Sequence, residues 1–140
     1  MRERFEHPLM KALLWALYLP DYPHATIEVS IGDRYKPDVV AFAPDDVRFR
    51  PDEPTFWGEA GQVRRQKIEA LVRRYPDTHF ALAKWDTRLK PYADLIRAAL
   101  VGVRRGAPFD LLSIPAHAAD FVDDDGHIHI QHDDVTWERF

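Results

Sequence analysis

The chain has 140 residues, of which 46% are apolar and 12% aromatic, and this suits one globular domain with a single core. It contains no cysteine, so disulfides and thiolate metal sites are excluded, and its net charge of −4 argues against a broad, non-specific nucleic-acid binder. We therefore expect a single domain over residues 1–140.

The N-terminal segment resembles neither a membrane span nor a signal peptide. Its longest apolar run, residues 12–19, is too short to cross a bilayer. The residues before this run mix acids with bases, and no small-residue cleavage site follows it. We expect a cytoplasmic protein that has no membrane partner.

The first half of the chain predicts one helix and then three strands. Apolar residues at helical spacing predict a helix over residues 9–19, which Pro20 ends. Alternation predicts a strand over residues 26–31, and short apolar segments predict strands over residues 37–42 and 55–59. Because the connections are short, we expect an antiparallel meander.

The second half predicts helices that alternate with strands. We expect helices over residues 63–75 and 91–103, and strands over residues 79–84 and 109–114. The Asp-Gly pair at 125–126 lies between two alternating runs and predicts a hairpin. The order β-α-β-α-β implies crossover connections. The expected fold is therefore α/β, a mixed sheet flanked by helices with a C-terminal β-hairpin.

Two acids are predicted to meet at one end of this sheet. Asp38 opens the second strand and Glu59 ends the third, so antiparallel pairing of the two strands brings their carboxylates together, with strands about 4.8 Å apart. Two such carboxylates repel each other unless one takes up a proton or both bind a cation. Mg²⁺ typically binds one or two carboxylates, with water and phosphate as the other ligands. The alternative, that Asp38 and Glu59 are ordinary strand-edge acids, stays open.

A basic turn follows Glu59. Arg64, Arg65 and Lys67 lie in the predicted first turn of a helix, where the macrodipole disfavours each cation by roughly 0.3–1 kcal/mol. A helix N-terminus binds anions, so Arg64 and Arg65 are predicted to contact substrate phosphate. With a metal beside it, a lysine can orient or deprotonate a water for phosphodiester hydrolysis. The other interpretation is that Arg64, Arg65 and Lys67 are ordinary surface charges that water solvates.

The segments "KPDVVAF" and "FWGEAGQ" are similar to those of the PD-(D/E)xK nuclease superfamily. The predicted order also resembles the αβββαβ core of its restriction-endonuclease-like fold. Within the superfamily the chain looks like the YaeQ family, which has a similar W-x-E-x-G element, and "DGHIHIQHDDVTW" resembles that family's closing hairpin. The resemblance implies that Asp38 and Glu59 bind Mg²⁺ or Mn²⁺ and that the protein is a nuclease or phosphodiesterase acting on nucleic acid.

The chain departs from the superfamily pattern at the usual lysine position, which Gly61 occupies. Lys67 is the candidate replacement, and Gln62 is a partial substitute. Arg64 and Arg65 also stand where YaeQ-like chains tend to have acids. These departures leave open a second function, in which a catalytically inactive nuclease-like fold serves as a binding or scaffold module.

Further acids are candidates for the same site. The superfamily's first helix often supplies a glutamate, for which Glu6 is the best-placed residue in this chain and Glu3 the next. Glu28 lies on the same sheet face as the site if strand alternation holds. Each of the three is otherwise a solvated surface acid.

A second metal site is conceivable near the C-terminus. His127, His129 and His132 lie close in sequence to the acids at 123–125, and His127 and His129 share one face of the predicted last strand. Such a set suits zinc or nickel. In the hairpin interpretation the acids are turn residues and the histidines are outward-facing strand positions.

Overall fold

The computed structural model describes residues 3–27, 31, 33–43 and 45–140, with side chains from Glu6 onward. The described residues form three α-helices: α1 (Glu3–Tyr18), α2 (Arg65–Arg74) and α3 (Lys90–Leu100). They form six strands: β1 (Thr26–Ile27), β2 (Val39–Ala41), β3 (Phe56–Ala60), β4 (His79–Trp85), β5 (Phe109–Ile114) and β6 (Thr136–Arg139). Within this part of the chain, no helix has the length and apolar character needed to cross a membrane.

The strands form one open sheet in the order β1-β2-β3-β4-β5-β6. The β1–β2 and β2–β3 pairs are antiparallel, β3–β4 and β4–β5 are parallel, and β5–β6 is antiparallel. Helices α2 and α3 provide the crossovers that parallel pairing requires. The predicted antiparallel meander and the mixed sheet are therefore confirmed.

Alternation along the strands divides the core between the two sheet faces. Leu13 and Leu14 of α1 belong to one buried cluster with Phe56 of β3. The neighbouring Trp57 points to the other face and belongs to a second cluster with α2 and α3. The predicted second helix is present as α2, and its apolar residues Ile68, Leu71 and Val72 are all buried.

Helix α1 packs on β3 at Gly58. A Cβ atom at Gly58 would be only 2.9 Å from Leu14 Cδ2, so a side chain at this position requires the Leu14 side chain to shift. The close approach brings the first turns of α1 against the end of β3, where His7 hydrogen bonds to the carbonyl of Ala60 at 2.8 Å. One wall of the candidate site is built in this way.

The first helix differs from prediction, and the predicted first strand is described only in part. Helix α1 begins at Glu3 rather than at residue 9, because Pro8 is accommodated near its start at the loss of one backbone hydrogen bond. Strand β1 is described only for Thr26–Ile27, and residues 28–30 of the predicted strand, including Glu28, lie outside the described residues.

The predicted C-terminal hairpin is wrong in its extent. The Asp-Gly turn is present, but Val122 and Ile128 form only an isolated antiparallel bridge, with no paired strands around it. The Asp123 side chain instead accepts the backbone amides of Asp125 and His127, which closes the turn locally. The strand that pairs with β5 is β6, which the sequence did not predict because its four residues contain no apolar alternation.

Candidate active site

The antiparallel pairing of β2 and β3 places the two predicted acids opposite each other. Val39 pairs with Gly58, and the amide of Asp38 donates to the carbonyl of Gly58 at 3.0 Å. One step further along the register, Asp38 therefore lies across from Glu59. The neighbouring placement of these carboxylates at one sheet end follows from the confirmed strand order.

Asp38 is anchored by its backbone neighbours and by α1. Its Oδ2 accepts the amide of Ala60 at 2.8 Å, and the Lys11 amine lies 3.6 Å from its Oδ1. His7 Nε2, which binds the Ala60 carbonyl, is 4.0 Å from Oδ2. The Asp38 carboxylate is thus held in one orientation, while Oδ1 faces a cation at a distance too long for a good hydrogen bond.

Glu59 is held through one of its two oxygens. Lys67 Nζ lies 2.6 Å from Oε1, and Trp57 Nε1 donates to the same oxygen at 2.9 Å. Among the described residues, Oε2 has no hydrogen-bond partner. Burial raises the pKa of Glu59 above its usual value, and the nearby Asp38 adds to this effect, although Lys67 and Trp57 oppose it.

Both acids border a cleft of about 780 Å³. Its walls come from the start of α1, the β3–α2 turn, the end of β4 and the start of α3. Glu6 and Gln62 also border the cleft, and the roles predicted for them stay predictions. The side chain of Glu3 is not among those described, and Glu28 lies outside the described residues.

The three cations of the basic turn do not act as a group. Lys67 points into the cleft, and its amine lies over the Tyr35 ring, 5.4 Å from the centroid, as well as beside Glu59. Arg64 and Arg65 are exposed and do not border the cleft, and Arg65 pairs with Glu69 at 3.5 Å. The roles predicted for Arg64, Arg65 and Lys67 remain predictions.

The conformation of Gly61 explains why no lysine stands at this position. Its φ of +97° lies in the left-handed region that favours glycine. A Cβ there would also lie 3.4 Å from the His7 ring. Amines reach this part of the cleft from other elements instead.

Sequence reasoning missed one such amine, that of Lys84. This residue is 8% exposed at the end of β4, and Lys84 Nζ donates to the carbonyl of Gly61 at 2.7 Å. Alternation in "HFALAK" puts Lys84 on the same face as Leu82, which pairs with Glu59. Alternation along β4 could therefore have indicated Lys84, but only with knowledge of the parallel register of β3 and β4.

The donor set fits a hard divalent cation. Asp38 and Glu59 come from adjacent strands, both open onto the cleft, and each offers an oxygen that lacks a close hydrogen bond among the described residues. Magnesium and manganese prefer such carboxylate oxygens, with water completing the coordination. The raised pKa of Glu59 is the behaviour of a buried carboxylate that a cation would stabilise.

The acids and histidines near the C-terminus lie apart from this cleft. Ligand atoms of Asp123, Asp125 and His127 approach within 4.8 Å of one another, but all three residues are exposed. His129 contacts Asp123 at 3.1 Å. His132 does not join them, since its ring packs against Trp137, with ring centroids 4.5 Å apart.

Comparison with known proteins identifies the fold. No family model and no curated protein matches the chain. Among solved structures, it is similar to the YaeQ protein from Pseudomonas syringae, with a TM-score of 0.57 and 15% identity over 90% of this chain and 63% of that one. It is also similar to the YaeQ protein from Xanthomonas axonopodis pv. citri, with a TM-score of 0.50 and 16% identity over 76% of this chain and 55% of that one. The chain thus has a YaeQ-like fold and spans less than two thirds of each neighbour's length.

Proposed function

We propose that this protein is a phosphodiesterase that uses Mg²⁺ or Mn²⁺ to hydrolyse nucleic acid, with a PD-(D/E)xK site on a restriction-endonuclease-like core. The observation that carries the proposal is the pair Asp38 and Glu59, which lie opposite each other on β2 and β3 at the rim of one cleft. The YaeQ-like fold and the sequence motifs around both acids support it.

The protein groups have separate tasks in the proposed reaction. Asp38 and Glu59 hold the metal, which, when bound, lowers the pKa of a water and neutralises charge on the phosphate. Lys67 and Trp57 fix the orientation of Glu59 through Oε1, which leaves Oε2 for the metal. Gln62, at the cleft rim, is placed to hydrogen bond the water or the substrate.

The overall reaction is a hydrolysis at phosphorus. A water oxygen forms a bond to phosphorus, and one P–O ester bond breaks. The proton that the water loses passes to solvent, and the departing oxygen takes one up from solvent.

The test compares wild-type protein with Asp38→Asn and Glu59→Gln on single- and double-stranded DNA and RNA. We expect cleavage that needs Mg²⁺ or Mn²⁺, stops on chelation, and falls at least about 100-fold in either variant. Asp94→Asn is the matched control, because Asp94 is an exposed acid on α3 outside the cleft. Equal substrate loss by the wild type and the two site variants would contradict the proposal.

The second candidate function is a nuclease-like fold that has lost its chemistry and serves as a binding or scaffold module. The supporting observation is that each acid already has a lysine nearby, with Lys67 at 2.6 Å from Glu59 and Lys11 at 3.6 Å from Asp38. Calorimetric titration with Mg²⁺ or Mn²⁺ separates the two functions. Binding heat that vanishes in Asp38→Asn favours the enzyme, and the absence of heat at millimolar metal favours the scaffold.

A further inference from the structure

Lys84 enters the cleft from a strand that neither acid belongs to. It lies on the same sheet face as Glu59, displaced by one strand and two residues, which places the two backbones roughly 8 Å apart given the strand spacing and rise. Its amine donates to the Gly61 carbonyl at 2.7 Å and lies 4.4 Å from the centroid of the Tyr92 ring. The ammonium group is therefore fixed in position within the cleft that Asp38 and Glu59 also line.

The charge of Lys84 differs from the charges of the half-buried amines of Lys67 and Lys11, because no nearby acid balances it. Among the described residues, no carboxylate lies within 4.0 Å of its Nζ, whereas Lys67 has Glu59 and Lys11 has Asp38. Burial lowers the pKa of Lys84, as expected for an ammonium group that has lost water without gaining a carboxylate.

Such an amine is costly to keep for structural reasons alone. A carbonyl and an aromatic ring compensate a desolvated ammonium only in part, and an apolar side chain at the end of a strand avoids the cost altogether. A buried, unbalanced charge in a cleft is instead characteristic of a site whose ligand carries the opposite charge. The cleft geometry therefore points to an anion beside Lys84.

The alternative cations are less suited to this task. Arg64 and Arg65 are exposed and do not border the cleft, and the Lys67 amine is already engaged by Glu59 and Tyr35. Lys36 borders the cleft but is exposed, so water screens its charge.

We propose that Lys84 is the cation that binds a phosphate oxygen of the substrate in the cleft, whereas Lys67 is a positioning residue that holds Glu59. The identity of the anion as a phosphodiester rests on the proposed function. The location of the anion site rests only on the placement of Lys84, its hydrogen bond to Gly61 and its lack of a carboxylate partner.

Binding is tested directly on the lysine amines of the wild-type protein. The ammonium signals of ¹⁵N-lysine-labelled protein are followed by NMR during titration with a thymidine dinucleotide, and the Lys84 signal is assigned by its loss in Lys84→Arg. We expect the Lys84 signal to shift on titration, and to shift in Lys67→Met as well, because Lys67 does not hold the phosphate. The Lys90 signal, from an exposed lysine on α3, stays in place.

Activity is tested with bis(p-nitrophenyl) phosphate and Mn²⁺. We expect Lys84→Met to lower kcat/KM about 100-fold while calorimetry gives unchanged Mn²⁺ affinity, and Lys84→Arg to recover part of the loss. Lys90→Met is the control, and thermal unfolding verifies that each variant is folded.

The outcomes separate this inference from the proposed function. If the wild type hydrolyses the diester but Lys84→Met is as active, or if the Lys84 signal does not move with the dinucleotide, Lys84 is not the phosphate-binding cation and the enzyme proposal stands. If the wild type is inactive but the Lys84 signal shifts, the anion site is supported and the enzyme proposal fails.

Discussion

The carboxylate of Asp110, on β5, and the pair Asp38 and Glu59, on the β2–β3 side of the sheet, differ in how many of their oxygens have hydrogen-bond partners among the described residues. Asp110, near the start of β5, is completely buried. Its two oxygens accept hydrogen bonds from Tyr18 at 2.6 Å, from His79 at 2.7 Å, and from the Arg139 guanidinium at 2.7 and 3.0 Å.

These contacts decide the charge state of Asp110. Burial alone would raise its pKa, but hydrogen bonds from His79, Arg139 and Tyr18 outweigh burial and hold the pKa well below the usual range. Because the ionised carboxylate only accepts, His79 Nε2 carries the proton, and the opposite ring nitrogen lies 2.9 Å from the Tyr22 hydroxyl. Burial raises the pKa of Tyr22 to about 12, so this hydroxyl stays protonated.

Glu59 has the reverse balance. Burial there outweighs the contacts of Lys67 and Trp57, so its pKa is raised, and Oε2 has no hydrogen-bond partner among the described residues. A carboxylate whose oxygens are all satisfied stabilises the fold, whereas one that is desolvated and incompletely bonded is available for a ligand. Asp110 therefore has the surroundings of a structural carboxylate, and Glu59 has those of the ligand-binding carboxylate that we propose.

The largest expected effect is the loss of stability on Asp110→Ala. Removing this acid leaves the Arg139 charge and the His79 ring without their partner, and breaking a buried pair typically costs about 3–5 kcal/mol. Urea unfolding monitored by circular dichroism measures the change. Asp94→Ala, which breaks exposed contacts to Lys90 and Arg97, is the control, with an expected loss below about 1 kcal/mol. Equal losses in the two variants would show that the Asp110 network is not structural.

An intermediate effect is the opposite pH dependence that the two carboxylates give to stability. Because folding lowers the pKa of Asp110, this residue stabilises the fold at pH values above its unfolded-state pKa of about 3.9. The stabilisation is lost as pH falls below that value. The raised pKa of Glu59 has the opposite sign, because its charged form is the costly one, so its cost is relieved as pH falls through the raised pKa.

Urea midpoints measured from pH 7 to pH 3 check both signs. We expect Asp110→Asn to flatten the decline below about pH 4. In the wild type, stability should rise slightly as pH falls through the raised pKa of Glu59, above the range of the Asp110 decline, and Glu59→Gln should remove this rise. We expect Glu59→Gln to change the free energy of unfolding at pH 7 by less than about 1 kcal/mol, since Lys67 reaches water through the cleft. A steeper acid decline in Asp110→Asn than in the wild type would mean that the pKa of Asp110 is not lowered by folding.

The smallest expected effect is that of the two exposed arginines at the start of α2. If Arg64 and Arg65 contact phosphates of a long substrate, the double alanine variant weakens binding of a single-stranded oligonucleotide. The slope of log K against log salt then falls by roughly 0.7 for each lost contact. Stability should change by less than about 0.5 kcal/mol.

Fluorescence anisotropy at several salt concentrations measures this slope. Arg48→Ala is the matched control, because Arg48 is an exposed arginine paired with Asp46 near the opposite end of the sheet. An unchanged slope in the double variant, or an equal change in the control, would show that Arg64 and Arg65 do not contact phosphates of the oligonucleotide.

The local pattern of the sequence was sufficient for most elements and for the acid pair. Strand β5 has the predicted bounds, and α2 buries Ile68, Leu71 and Val72, apolar residues that recur at helical spacing. Asp38 and Glu59 were predicted to be neighbours because short connections favour antiparallel pairing, which places the start of one strand beside the end of the next. β6 was missed because a short edge strand held by one neighbour needs no apolar alternation.

The sequence by itself thus determined where the acids lie in the strand order, because strand pairing follows from local spacing and connection length. Only the tertiary structure decided which cations reach them. Lys11 and His7 come from α1, which packs on β3 at Gly58, and Lys84 comes from β4, whose parallel register with β3 places it on the same sheet face as Glu59. Such contacts join residues far apart in the chain, so they depend on how helices pack on the sheet. The local spacing of residues in the sequence does not predict this packing.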